Sequence, residues 1–295
     1  MSSITAVGIG EVLWDIFPDQ SHFGGAPANF AAHMASLGAQ SFVVSGVGED
    51  ELGRLAMLAL AANHITNEYV QTDRSRSTGA VDITLNQAGA ATYKFKENTA
   101  WDHLLWNDKL VDLARNTQVV CFGTLGQRSP ISRQTIRRFV DSTGPECIRV
   151  FDVNLRQQFY DSETIRHSLQ LANVFKLNDE ELPIVAQLCG LSSHGNESLV
   201  ELLHRFDLNA VAVTQGAKGA TLLTKAHSVS LPAIACEVKD TVGAGDAFTA
   251  ALVTGLITGD DPQSILQRAI RVASFVCSQH GATPSLPPHL QSGGS

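Results

Sequence analysis

Short apolar runs and longer helix-forming stretches take turns along this chain. Ile4–Gly10 and Ser41–Val47 are apolar at nearly every position and too brief for helices, the pattern of strands buried on both faces. Between them Ala26–Leu37 is rich in Ala, carries Pro27 in its first turn and meets Gly38 where a helix stop belongs. Val12–Phe17 reads as extended chain ending at Pro18, and Leu52–Ala62 predicts a helix. Beyond Leu105 the alternation continues, with strands at Val119–Phe122, Ile148–Asp152, Val174–Leu177, Ala210–Thr214 and Ala220–Leu223. Helices are predicted between most of them, at Ser129–Asp141, Ser162–Leu171, Asp179–Leu188 and Ser198–Phe206. The whole reads as an α/β fold, a mostly parallel sheet sandwiched by helices. One segment breaks the rhythm. Glu68–Thr72, Thr78–Leu85 and Ala91–Phe95 are strand-like, with a turn around Asn86–Gly89 and no helix among them. They predict a small antiparallel patch outside the main sheet.

Composition narrows the class. The chain has 295 residues with 44% hydrophobic, enough for one large α/β domain spanning 1–295. No apolar run approaches the ~20 residues of a membrane span, and the start lacks a basic region ahead of its apolar run, so neither a membrane span nor a signal peptide is expected. The net charge of −8 argues against nucleic acid as a partner. The 5 cysteines are scattered without a close pair, as expected of reduced thiols in a cytoplasmic protein. The tail Ser292–Ser295 has the composition of a disordered end.

Polar motifs collect where the predicted strands end, the edge at which parallel sheets build their sites. Gly123-Thr124, Asn154-Leu-Arg156, Asn178 and Thr214-Gln-Gly216 all fall there. The strongest chemistry lies later. Asp240-Thr-Val-Gly-Ala-Gly-Asp246 opens directly into the apolar helix Ala247–Ile257. A glycine loop feeding a helix N-terminus offers unpaired N–H groups and a dipole that favour an anion. Asp246 sets a carboxylate beside that anion site, either as a helix cap or as a base for an attacking hydroxyl.

That string resembles the signature of the ribokinase-like (PfkB) carbohydrate kinases. Gly24-Gly-Ala-Pro-Ala-Asn29, Asn178-Asp-Glu-Glu181, Thr214-Gln-Gly-Ala-Lys-Gly219 and Gly281-Ala-Thr-Pro-Ser285 are similar to the family's other motifs, in the same order along nearly the whole chain. The resemblance implies an ATP-dependent sugar kinase with a small β lid formed by inserts at about 12–23 and 68–96. It makes Asp246 the catalytic base, with the N–H groups of Ala244, Gly245 and Asp246, reached past Gly243, as an anion hole. It puts Asp15, Gly25 and Asn29 on the sugar, and Arg156 on the substrate or phosphoryl side. Read from the residues alone, Asp15 is a turn residue, Asn29 a helix-surface amide and Arg156 a surface ion-pair partner. Asn178 and Glu181 would organise Mg²⁺ and the phosphates through water, and they equally form a capping box. Thr214, Gly216 and Gly219 would contact the nucleotide, and they equally make a tight turn between strands. Asp240 and Ser285 resemble a monovalent-cation site, taking K⁺. Homodimerisation through the lid is implied as well.

Gly-Glu-Val-Leu-Trp-Asp15 and Asp-Val-Asn-Leu-Arg156 resemble the fructokinase branch, so fructose is the expected sugar. Arg156 would equally suit the carboxylate of 2-keto-3-deoxygluconate. Two other classes fit these residues less well. A dinucleotide-binding oxidoreductase needs a third glycine where Leu13 stands. A non-catalytic sugar sensor on the same scaffold would not need Asp246 with its flanking glycines.

Overall fold

The computed structural model describes residues 4–85 and 91–291. The turn expected at Asn86–Gly89 and the tail Ser292–Ser295 lie outside them. The chain begins with strands β1 (Thr5–Ile9), β2 (Leu13–Ile16) and β3 (Ser21–Gly24), then helix α1 (Ala26–Ser36), strand β4 (Gln40–Gly48) and helix α2 (Glu51–Ala62). Strands β5 (Ile65–Thr66), β6 (Val70–Asp73), β7 (Gly79–Leu85) and β8 (Ala91–Phe95) follow without a helix. The middle alternates: α3 (Asp108–Asn116), β9 (Val119–Phe122), α4 (Pro130–Asp141), β10 (Ile148–Asp152), α5 (Ser162–Leu171), β11 (Val174–Asn178), α6 (Glu181–Cys189), α7 (Asn196–Arg205) and β12 (Ala210–Thr214). Strands β13 (Ala220–Thr224) and β14 (Ser228–Leu231) precede helices α8 (Ala244–Thr258), α9 (Pro262–Cys277) and α10 (Pro288–Gln291).

The main sheet runs β14-β13-β12-β11-β10-β9-β1-β4-β5, with β6 also paired to β4. Every pairing from β12 to β5 is parallel, and β13 and β14 add antiparallel strands at one edge. Side chains alternate across the sheet. Phe122, Phe151 and Phe175 stack on one face, with ring centroids 5.4 and 5.6 Å apart, inside the core covered by α3 to α7. Val150, Val174 and Ala212 point to the other face, against α1, α8 and α9. That parity also sends Asp152 and Lys176 toward α8, where they meet the site.

A second sheet, β3-β2-β7-β8, lies beside the first. Its two outer pairs are antiparallel, and β2 joins β7 in parallel, so it is mixed rather than wholly antiparallel. Leu13, Val81 and Ile83 pack on Trp101 and Leu125. The Arg128 guanidinium lies 4.0 Å from the Trp101 ring centre and forms a buried 2.7 Å ion pair with Asp102. One expectation is corrected here. Glu68–Thr72 does not belong to the small sheet: β6 pairs parallel with β4, Ser45 opposite Val70 through Gly48 opposite Asp73. With β5 it forms a broken edge of the main sheet, because buried Ile65 and Val70 share the core of α2 and β4. From this stretch the small sheet takes only β7 and β8.

Candidate active site

The site lies at the carboxyl ends of β1, β9, β10, β11 and β12 and between the N-termini of α1 and α8. Helices α2, α3, α5 and α9 are each capped by an Asp or Asn side chain. Helices α1 and α8, like α4, α6 and α7, have no side-chain cap, and they start from Gly25 (φ 114°) and Gly243 (φ 77°). Their first-turn N–H groups have no helical carbonyl before them, which is the requirement for holding an anion or a hydroxyl. A Cβ on Gly243 would run into the backbone of Ala282, so both the positive φ and the close approach require glycine there. Ala244 N–H makes a 3.3 Å bond to the Thr241 carbonyl, so of the expected anion-hole amides it is partly occupied within the turn.

Asp246 stands at the third position of α8, half-buried, and its Oδ2 accepts a 2.9 Å hydrogen bond from Asn29 Nδ2. Two residues far apart in sequence, one from each glycine-led helix, thus meet side chain to side chain. Desolvation, with the nearby Asp152 carboxylate, pushes the Asp246 pKa up to about 7, against the pull of Asn29, Lys176 and Arg156. Such a group is poised to take a proton near neutrality.

Below it lies a charge cluster that the sequence motifs did not disclose. Lys176 Nζ bonds Asp152 Oδ1 at 3.1 Å, and the pair is buried. Thr249 Oγ1 of α8 donates to Asp152 Oδ2 at 3.0 Å. A Cβ on Gly245 would come within 3.0 Å of Lys176 Nζ, so the ammonium abuts the glycine loop itself. Burial opposes the Lys176 charge, but Asp152, Glu181 and Asp246 outweigh it and raise its pKa. Glu11, just past β1, is buried, and its Oε2 has no hydrogen-bond partner among the described residues. Glu11, Asp152, Asn154 and Asp246 line one cavity of about 10 Å³.

Asp15 sits half-buried on β2, its pKa raised by desolvation against the pull of His22 and Arg156. Arg156 is exposed, yet its charge acts on Asp15, Glu11 and Asp246 alike, so it stands at the mouth among them. The loop carrying it holds Asn154 and Gln157 at positive φ, 45° and 47°, and Gln157 Nε2 donates to the Tyr93 carbonyl of β8 at 2.6 Å. Asn178 and Glu181 make the reciprocal bonds of the expected capping box, although α6 itself begins only at Glu181, after Glu180. Glu181 N–H donates to Asn178 Oδ1 and Asn178 N–H to Glu181 Oε2, each at 2.8 Å, while Leu155 N–H occupies Oε1. Thr214, Gly216 and Gly219 make the turn into antiparallel β13, on the same sheet edge. Asp240 holds Val242 N–H and Gly281 N–H, tying the loop before α8 to the segment after α9. Ser285 is exposed further along that segment.

A model of the pfkB family carbohydrate kinases matches residues 16–289. The chain belongs to the pfkB family of carbohydrate kinases. This kinase is 30% identical over 311 aligned residues to a fructokinase of Solanum tuberosum, covering 97% of this chain and 94% of that protein. Among solved structures, it resembles a sugar kinase from Pyrococcus horikoshii in complex with ATP, with a TM-score of 0.82 and 27% identity over 95% of this chain and 94% of that one. It also resembles a fructokinase from Vibrio cholerae bound to fructose, ADP and calcium, with a TM-score of 0.78 and 25% identity over 97% and 96% of the two chains. The match makes the chain an enzyme, a carbohydrate kinase, and the ribokinase-like fold expected from the sequence is the one found. Among the described residues, no helix is long and apolar enough to cross a membrane.

Proposed function

We propose that this kinase transfers the γ-phosphoryl group of ATP to a hydroxyl of fructose, with Asp246 as the base. The observation that carries the reading is the meeting of Asp246 and Asn29 at two uncapped helix N-termini, beside the Lys176 ammonium. Relatives bound to ATP and to fructose support the choice of donor and acceptor. In this mechanism Asp15 and Asn29 hold the sugar hydroxyls, and Gly25 lets the backbone come close. Asp246 accepts the proton of the attacking hydroxyl as its oxygen bonds to the γ-phosphorus, and the bond to the ADP oxygen breaks. The N–H groups of Gly245 and Asp246, with that of Ala244, face the charge spread over the moving group, and Lys176 adds a fixed positive charge behind them. Thr214, Gly216 and Gly219 carry the nucleotide.

Among the described residues no cluster of His, Cys, Asp and Glu is built to grip a metal. Both Glu181 oxygens already accept a backbone N–H, and each keeps one lone pair. That donor set suits the water shell of Mg²⁺ rather than direct ligation. Mg²⁺ held there with Asn178 would neutralise phosphate charge. The Asp240 carboxylate likewise keeps lone pairs for K⁺, with Ser285 as the second expected ligand.

Arg156 favours a second substrate reading, because an exposed guanidinium at the mouth suits an acidic sugar such as 2-keto-3-deoxygluconate. The test is ADP release with ATP and Mg²⁺ over fructose, 2-keto-3-deoxygluconate, ribose, tagatose and adenosine. Fructose should give the highest kcat/KM. A signal confined to the keto-acid would move the substrate and keep the mechanism. Silence with every acceptor would favour a sensor.

A further inference from the structure

Glu11 has no role in the mechanism above, yet it is among the most completely enclosed acids in the molecule, with only 4% of its surface exposed. Its Oε2 meets no donor among the described residues, although an unpaired buried carboxylate oxygen is expensive. Glu11 and Asp246 line the same cavity, and the space there is about 10 Å³, room for about one water. Two acids lining one small cavity cannot both carry charge without strong repulsion. We propose that Glu11 is a positioning residue for Asp246, the two carboxyls sharing one proton across this cavity, with the proton resting on Glu11 so that Asp246 stays the anion. The proposal rests on the reading of Asp246 as base.

The surroundings decide which acid keeps the proton. From α8, Asp246 has the helix N-terminus at its own backbone, and from α1 the Asn29 N–H on Oδ2. Lys176 on β11 and Arg156 after β10 also favour its charged form, against the desolvation and the Asp152 carboxylate that raise its pKa. Facing Glu11 are Asp246 from α8, Asp152 from the end of β10, the Cys121 thiol from β9, and the Arg156 charge. Lys176 is committed to Asp152, and α1 offers only Ala26 and Pro27 to this cavity. Burial is the largest influence on Glu11 and pushes it up to about 7, only partly offset by backbone N–H groups and Arg156. A protonated Glu11 turns its orphan oxygen into a donor, which removes the unpaired-anion problem and gives Asp246 a proton-bearing neighbour directly or through one water.

The test follows the two carboxyl carbons by ¹³C NMR in the unliganded full chain, from pH 5 to pH 9. The Glu11 midpoint should fall by about one pH unit or more in Asp246→Asn, because coupled acids titrate as a pair. A midpoint that does not move overturns the proposal, and it does so without reference to kinase activity. The base reading stands or falls separately, on turnover by that same variant. A second arm uses Glu11→Gln, which presents an N–H where the protonated acid presents an O–H. It should keep kcat at pH 7 within about threefold and lose any decline in rate that wild type shows as Glu11 ionises at higher pH. A fall in kcat comparable to that of Asp246→Asn would mean that Glu11 works as an anion, and would overturn the proposal. Should Glu11→Gln fail to fold, the titration alone decides.

Discussion

Replacing Asp246 by Asn should make the protein more stable while it loses activity. The side chains are nearly isosteric, and the Asn oxygen can still accept the 2.9 Å bond from Asn29. What disappears is a carboxylate that must be ionised in a desolvated site. Its pKa is about 7 in the folded protein against 3.8 for an aspartate free in water, and about 1.4 kcal/mol attaches to each unit. The ceiling is therefore about 4 kcal/mol, and water at the half-open mouth should reduce it to about 2 kcal/mol. The sign can be followed with pH. Below about pH 4 the acid is neutral folded and unfolded, so the variant has no advantage. As pH rises from 4 to 7 the unfolded chain ionises first and wild type loses stability relative to the variant. Above 7 the difference is constant. Urea denaturation of both proteins at pH 4, 6 and 8 measures it. A variant that is less stable at pH 8, or a gap that is the same at all three values, would refute the electrostatic reasoning.

Three further outcomes are expected. Lys176→Met strands the buried Asp152 carboxylate and should cost about 3–5 kcal/mol in urea denaturation. Adding Asp152→Asn should recover part of that, and a single variant as stable as wild type would show that the pair is not held as described. Gly243→Ala forces a side chain onto the Ala282 backbone at φ 77°, so it should lose more than about 1 kcal/mol and raise the KM for ATP. An unchanged KM would separate the loop from nucleotide binding. Arg156→Ala removes an exposed side chain and should leave stability within about 0.5 kcal/mol while raising the sugar KM about tenfold. A lower kcat at unchanged KM would move Arg156 to the transferred phosphoryl group.

The parallel strands were legible because each is buried on both faces and so is written as a plain apolar run. The glycine loop at Asp240–Asp246 was legible as the start of an apolar helix, and the structure places Gly243 at that start. The edge pieces were harder. Val70–Asp73 follows Ile65–Thr66 with no helix between, which locally reads as a hairpin, and only packing against α2 and β4 assigns it to the main sheet. Strand β14 is short and only partly buried at the sheet edge, with no apolar run to mark it. The charge cluster went unseen for a different reason. Asp152 and Lys176 lie directly opposite one another in the β10–β11 register, and register is a property of pairing, not of either strand. A signal existed nonetheless: Lys176 interrupts the apolar run from Val174 to Leu177, and a lone charge there calls for a partner. Glu11 carried a similar signal, directly after a strand with no exposed position beyond its start.

In the proposed mechanism the Asp246 carboxylate takes the proton of a sugar hydroxyl during phosphoryl transfer. The direct measurement is fructose-dependent ADP release at saturating ATP and Mg²⁺, comparing wild type with Asp246→Asn. A fall in kcat of about 10³-fold with the fold intact is predicted, within the range for loss of a positioned base. A variant that turns over at the wild-type rate would contradict it.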